Sequence, residues 1–133
     1  MKLVEHGRNL IKIAGCNDCH TAGYIQANGE VSVESRLTGG TFGWKCPWGT
    51  TYGTNLRLLV ADLTEAEWIE MSKDLGSRPP MPWFNLNAMK ASDLDSIYQF
   101  VKFLGPDGKL APNYLPPGKE PKGPYAIFPA PPE

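Results

Sequence analysis

The feature that most constrains this chain is a run of five residues near its start, Cys16-Asn17-Asp18-Cys19-His20. The spacing Cys-x-x-Cys-His is typical of covalent haem attachment, in which each thiol forms a thioether to a vinyl group and the next imidazole reaches the iron. A chain that carries haem in this way has to fold around a large, flat, apolar group. We therefore expect one haem c, attached through Cys16 and Cys19, with His20 as an iron ligand.

Two other interpretations of these residues stay open at the level of the sequence. A structural zinc ion could take Cys16, Cys19, His20 and Cys46 as four ligands. Cys16 and Cys19 could also form a redox-active dithiol of the Cys-x-x-Cys type. Haem is favoured because it uses the histidine as well as both thiols, and Cys46 is then a left-over thiol, expected to be a small buried residue or a partner in a disulfide.

A second iron ligand is expected sixty-one positions after His20. Met81 lies in a proline-rich stretch, residues 78–83, between two predicted helices, and flanking prolines would hold its thioether in place. Met71 and Met89 are interpreted as core residues because of their places beside or on helices. His6 is interpreted as a surface histidine.

Charge and composition exclude several classes of function. Thirteen basic and fourteen acidic residues nearly cancel, so no nucleic-acid partner and no attraction to an anionic membrane are expected. Residues 1–15 resemble neither a secretory signal nor a membrane span. Because haem attachment to bacterial c-type cytochromes follows export, we expect a periplasmic protein whose export signal has been removed from this numbering.

Apolar periodicity predicts three helices. One covers residues 4–14 with Gly7 on its buried face, which indicates close approach by another element, an aromatic residue of a later helix. A second covers 65–75, opened by the capping box that Thr64 and Glu67 form. The third covers 93–104, with Ser92 as its N-cap.

The remaining segments are rich in glycine or proline and are predicted to be irregular. Residues 21–62 are interpreted as a long ordered loop with a short hairpin at 24–32, where Asn28-Gly29 is a turn signal. Residues 78–83 are expected to be a stiff extended loop. Residues 106–133 are predicted to form a proline-rich extension, without regular structure, that packs on a domain of residues 1–105 through its aromatic side chains.

The ordered motifs together resemble one family. The sequence from Gly7 through Cys16-x-x-Cys19-His20, the motif Pro47-x-Gly49-Thr50-x-Tyr52-x-x-Asn55, Trp68, Met81-Pro82-Trp83 and the apolar pattern of 93–98 are similar to a cytochrome c domain of class I. This single-haem domain resembles the haem domains in the cytochrome c subunits of alcohol and aldehyde dehydrogenases, although those subunits carry several haem motifs. The similarity covers residues 4–105.

The resemblance implies an all-α fold with long haem-wrapping loops, whose first and last helices cross near Gly7 and Tyr98. It implies His20 and Met81 as axial ligands. It also places Tyr52, Asn55 and Trp83 at the haem, the first two as hydrogen-bond donors to its propionates. Arg57 and Arg78 are further propionate candidates on charge alone.

A soluble, monomeric, mono-haem electron carrier is the function that this set of residues predicts. An iron held by His20 and Met81 can change its charge by one electron without losing a ligand. We expect redox proteins as partners, no membrane span and no enzymatic activity. The alternative is a haem enzyme or ligand sensor in which Met81 is displaced from the iron.

Overall fold

A computed structural model describes residues 2–78 and 80–129. Over these residues the chain forms six α-helices, a 3-10 helix at Val33–Ser35 and a three-stranded mixed sheet. The helices are α1 (Lys2–Ile13), α2 (Cys16–His20), α3 (Leu56–Ala61), α4 (Glu65–Asp74), α5 (Trp83–Ala88) and α6 (Ala91–Leu104). The prediction of an all-α fold is wrong, because the sheet makes this a mixed α/β structure in which 44% of the residues are helical.

Helices α1 and α6 form the most extensive helix pair, and Gly7 makes their close approach possible. A Cβ atom on Gly7 would lie 1.9 Å from the carbonyl oxygen of Ser96 and 3.0 Å from Cβ of Phe100. The helix crossing therefore needs a residue without a side chain at this position. Near the start of α1, Nε2 of His6 lies 3.0 Å from a carboxylate oxygen of Asp93, while His6 itself remains exposed as predicted.

The ends of the helices agree with the sequence signals in part. At α4 the capping box is confirmed: the Thr64 hydroxyl accepts from the Glu67 amide, and the Glu67 carboxylate accepts from the Thr64 amide. The prediction of Ser92 as the N-cap of α6 is wrong, since the helix begins at Ala91 with Lys90 as its N-cap. The Ser92 carbonyl instead accepts a bond from the Ser96 hydroxyl inside the helix.

The sheet corrects two predictions about irregular segments. Strands β1 (Gly43–Cys46) and β2 (Gly49–Tyr52) pair as an antiparallel hairpin, whereas the hairpin expected at 24–32 is a series of turns. Strand β3 (Tyr125–Ile127) pairs in parallel with β1 and comes from the extension that was predicted to lack regular structure. Central β1 therefore joins segments about eighty residues apart in the chain.

Two buried side chains of the α3 region hold the chain that follows α6. Arg57 donates to the carbonyl oxygens of Gly105 (2.6 Å) and Leu104 (2.7 Å). It also donates to the carbonyl oxygens of Val33, Glu34 and Arg36. The amide of Asn55 donates to the carbonyls of Asp107 (2.8 Å) and Lys109 (3.0 Å). Buried carbonyl oxygens that face no water need such donors.

The hydrophobic core lies between α1, α4 and α6. Its buried members are Ile11, Leu37, Val60, Trp68, Leu94, Ile97, Tyr98, Phe100 and Val101. Met71 and Met89 pack against this cluster, in line with their interpretation as core residues. Within 2–78 and 80–129, no helix is both long enough and apolar enough to cross a bilayer.

Deleting the chain after Pro112 is expected to lower the free energy of unfolding by about 3 kcal/mol. The deletion removes the reciprocal bonds between Thr50 and Leu115 (2.8 and 3.0 Å) and the bonds that flank β3, and each such bond contributes roughly 1 kcal/mol. Urea unfolding followed by circular dichroism measures the change. Leu110→Ala is the control, since that side chain is 81% exposed and its loss should leave stability unchanged. Equal stability of the deleted and full chains would contradict the packing.

Candidate functional site

A deep apolar cleft lies between the end of α2, the β2–α3 connection and the segment before α5. It consists of two adjoining cavities of about 200 and 80 Å³. Both cavities are lined by Cys19, His20, Leu56, Trp68, Met81 and Leu86. The side chains that both cavities share are mostly apolar, as is usual for pockets that bind cofactors and other small molecules.

Helix α2 directs the three residues of the motif towards one side. In a helix, residues three and four positions apart share a face, so Cys16, Cys19 and His20 are neighbours on the surface of α2. Gly15, with a φ of 77°, makes the sharp turn by which the chain passes from α1 into α2. All three side chains line the smaller cavity.

The imidazole of His20 is held in the form that binds a metal. Its Nδ1 lies 2.8 Å from the carbonyl oxygen of Thr54, and because a carbonyl can only accept, Nδ1 must carry the proton. Burial lowers the pKa of His20, although the Thr54 carbonyl acts in the opposite direction. The ring is therefore neutral at pH 7, with its remaining lone pair on Nε2.

Close packing of backbones fixes the end of α2. A Cβ atom on Gly53 would lie 2.0 Å from the carbonyl oxygen of Cys19 and 3.4 Å from Cα of His20. The Gly39 amide donates to the carbonyl of His20 at 2.8 Å. The loop on either side of the hairpin thus positions the backbone that carries the imidazole.

The environment of the thiols disfavours chemistry that needs thiolates. Burial raises the pKa of Cys16 to about 11, with a contribution from Asp18, and raises the pKa of Cys19 in the same direction. A redox dithiol instead needs a lowered pKa. Cys46 is buried in β1 and lines neither cavity, so the four residues of the alternative zinc site are not brought together. Among the described residues there is no group of three or more His, Cys, Asp or Glu side chains arranged to hold a metal.

Met81 reaches the same cleft from a different part of the chain. It lines both cavities, and its backbone is set by bonds from its own amide to the carbonyl of Arg78 (3.2 Å) and from the Trp83 amide to its carbonyl (2.9 Å). Pro79 lies outside the described residues, and the loop ends at Trp83, which already begins α5. Met71 also lines the larger cavity, so two thioethers border this space.

The other predicted site residues divide into those at the cleft and those outside it. Tyr52 and Arg78 line the larger cavity. Asn55 does not, because its side chain caps α3 at Leu58 and binds the chain after α6. The guanidinium of Arg57 likewise donates its hydrogen bonds to backbone carbonyls. Trp83 is not among the residues that line either cavity.

Three further residues shape the cleft, and two of them, Thr54 and Trp44, carried no usable sequence signal. Thr54 orients His20 through its backbone carbonyl, which any residue type supplies. Trp44 lines the cleft from a strand that was interpreted as loop. Trp68, which the family pattern did include, is fixed by a bond of 2.9 Å from its indole nitrogen to the carbonyl of Leu94.

Comparisons with known proteins identify no relative of this chain. A scan against protein-family models, a search of curated proteins and a search of solved structures each found no match. The cleft and the residues that line it are therefore the structural features that bear on function.

Proposed function

We propose that this protein is a mono-haem c-type cytochrome that passes single electrons between redox proteins. The observation that carries the proposal is the convergence of Cys16, Cys19, His20 and Met81 on one apolar cleft, although Met81 is distant in sequence. Cys16 and Cys19 would be the attachment thiols, and His20 and Met81 would be the iron ligands, that the family resemblance implies. The export that haem attachment requires makes the periplasm the proposed location.

The residues of α2 fit the group that they would hold. Neutral thiols on one face of a helix are suited to thioether formation with two vinyl groups, and neutral His20 presents Nε2 as a ligand. The bond from Nδ1 of His20 to Thr54 keeps the ring in one orientation and increases its basicity. Gly53 allows the backbone contact that keeps this arrangement rigid.

The walls of the cleft serve electron transfer by excluding water and resisting movement. Leu56, Trp68 and Leu86 supply apolar surface, and a haem bound there supplies an iron that alternates between two oxidation states. Met81 contributes a thioether, which favours the reduced state and raises the potential. A site whose ligands stay in place when charge changes loses little energy to reorganisation.

Two polar residues at the larger cavity are suited to the haem carboxylates. Arg78 lies over the ring of Tyr114, with its guanidinium carbon 4.1 Å from the ring centroid, so its position is defined. Tyr52 offers a phenolic hydroxyl from the end of β2. We assign propionate binding to these two residues and no longer to Asn55, whose amide hydrogens are already bonded to backbone carbonyls.

The test is to express the full chain together with a system that attaches haem and to titrate the product by spectroelectrochemistry. We expect one haem per chain that survives denaturation and acid extraction, and one reversible one-electron transition. Cys46→Ser is the matched control and should retain haem, whereas the combined change Cys16→Ser and Cys19→Ser should lose it. Absence of covalent haem from the unmodified chain would refute the proposal, and rapid binding of carbon monoxide or cyanide would favour a ligand sensor or enzyme.

A further inference from the structure

A third cavity, separate from the two that form the cleft, borders α2 at Asn17. Its volume is about 160 Å³, and of the residues that border it only Ile11 also borders the apolar cleft. Its walls come from α1, α2, the turns at 24–30 and α6. The lining residues are Arg8, Ile11, Lys12, Asn17, Tyr24, Asn28, Gly29, Glu30, Arg36 and Phe100.

The charges around this cavity are unbalanced. Arg8, Lys12 and Arg36 contribute three positive charges, and Glu30 contributes one negative charge, so the lining carries a net charge of two positive. None of the three cations has an ion pair within 4.0 Å among the described residues. The chain as a whole has a net charge of −1, so the positive charge is a local property of this cavity.

Arg36 provides an independent indication of a missing partner. Its Nε is buried and has no hydrogen-bond acceptor among the described residues. A buried N–H group without an acceptor is costly, and a bound ion is one of the few explanations for it. The backbone that carries the Arg36 side chain is also fixed in position. The next residue, Leu37, is fully buried, and its amide donates to the Thr21 hydroxyl at 2.9 Å.

The backbone around Arg36 is strained in a way that holds it in place. Leu37 has a φ of 58°, a conformation that a leucine adopts only when its surroundings enforce it. Here the amide of Leu56 donates to the Leu37 carbonyl at 2.9 Å, in addition to the bond from Leu37 to Thr21. On the opposite wall, Tyr24 packs over Gly29, which has a φ of 84°. Both walls of the cavity are thus preformed.

We propose that this cavity binds a small oxyanion with two negative charges, such as hydrogen phosphate. Two guanidinium groups and an ammonium group supply charge-assisted donors, and the side-chain amides of Asn17 and Asn28 and the hydroxyl of Tyr24 supply neutral ones. The ligand charge of two matches the surplus charge of the lining. This site is separate from the haem cleft, and the inference does not depend on the proposed electron-transfer function.

The experiment is calorimetric titration of the full chain, with or without haem, with sodium phosphate, compared with sodium chloride at equal ionic strength. We expect saturable binding of one phosphate per chain and no saturable binding of chloride. A parallel titration with malonate distinguishes a dicarboxylate from a phosphate as the preferred oxyanion. Absence of saturable binding of both phosphate and malonate would overturn the proposal.

Single substitutions locate the site. Arg36→Gln should weaken binding roughly tenfold or more, the effect of removing a charge-assisted hydrogen bond. Lys12→Gln changes an exposed residue of α1 and so tests the site even if Arg36→Gln impairs folding. Glu30→Gln should instead tighten binding. Lys109→Gln removes the same charge from an exposed position outside the cavity, and a loss of affinity there equal to that of Lys12→Gln would show only a general effect of net charge and overturn the proposal.

Discussion

Replacing Met81 by alanine is expected to convert a low-spin, six-coordinate haem into a high-spin or misligated one. The thioether of Met81 would be the second iron ligand besides His20, and alanine has no atom that can take its place. The far-red charge-transfer band that marks methionine ligation should disappear, and the midpoint potential should fall. Absorption spectroscopy of the ferric protein and spectroelectrochemistry measure the two changes.

The control for this prediction is Met71→Ala. Met71 borders the same cavity but lies on α4 and packs against the core, so its loss should leave the far-red band in place. The two variants remove the same side chain from the same cleft, and only the position differs. An unchanged spectrum for Met81→Ala, or loss of the band in Met71→Ala instead, would show that Met81 is not the ligand.

The site residues that could be predicted from the sequence are those identified by the chemistry and spacing of their side chains. Cys16, Cys19 and His20 are defined by spacing on one helix face, and Met81 by its flanking prolines. Asn55 shows the limit of such reasoning. A side-chain amide near the cleft can bind a cofactor or cap a helix equally well, and here it caps α3 and holds the chain after α6.

The fold likewise has parts with local sequence signals, which could be predicted, and parts that depend on distant contacts, which could not. Helices α1, α4 and α6 have local signals in their apolar periodicity and, for α4, in the capping box, and all three were predicted to within a few residues. The sheet depends on pairing between distant segments, since β3 pairs with β1 across a long stretch of chain. No local pattern encodes that contact. The glycines at both ends of the hairpin, Gly43 and Gly49, also conceal its strands by resembling loop.

Gly7 combines a local sequence signal with a distant contact. Its place on the buried face of α1 could be predicted from the sequence, but the residues that it contacts could not. The structure supplies the partner, namely the backbone of Ser96 together with Phe100 on α6. The crossing lies in the expected region around Tyr98, and the hydroxyl of Tyr98 itself donates to the carbonyl of Leu63. The prediction of close approach by an aromatic residue thus agrees with Phe100.

Gly7→Ala is expected to lower the free energy of unfolding by roughly 3 kcal/mol, at the upper end of the usual cost of overpacking a core. Alanine favours a helix over glycine by about 1 kcal/mol, so an isolated α1 would become more stable. In the folded protein, however, the new methyl group would lie 1.9 Å from a backbone oxygen of α6, which cannot turn aside as a side chain can. The helices must separate, and the core between α1 and α6 opens.

Gly76→Ala provides the matched control, because a Cβ at that position meets no atom within 4 Å and the backbone is not in the left-handed region. That variant should be as stable as the unmodified protein or more stable by a few tenths of a kcal/mol, since alanine restricts the unfolded chain. Urea unfolding of both variants, followed by circular dichroism, gives the comparison. If Gly7→Ala gained stability as Gly76→Ala does, helix propensity would outweigh packing at this position, and α1 and α6 could not approach as closely as described.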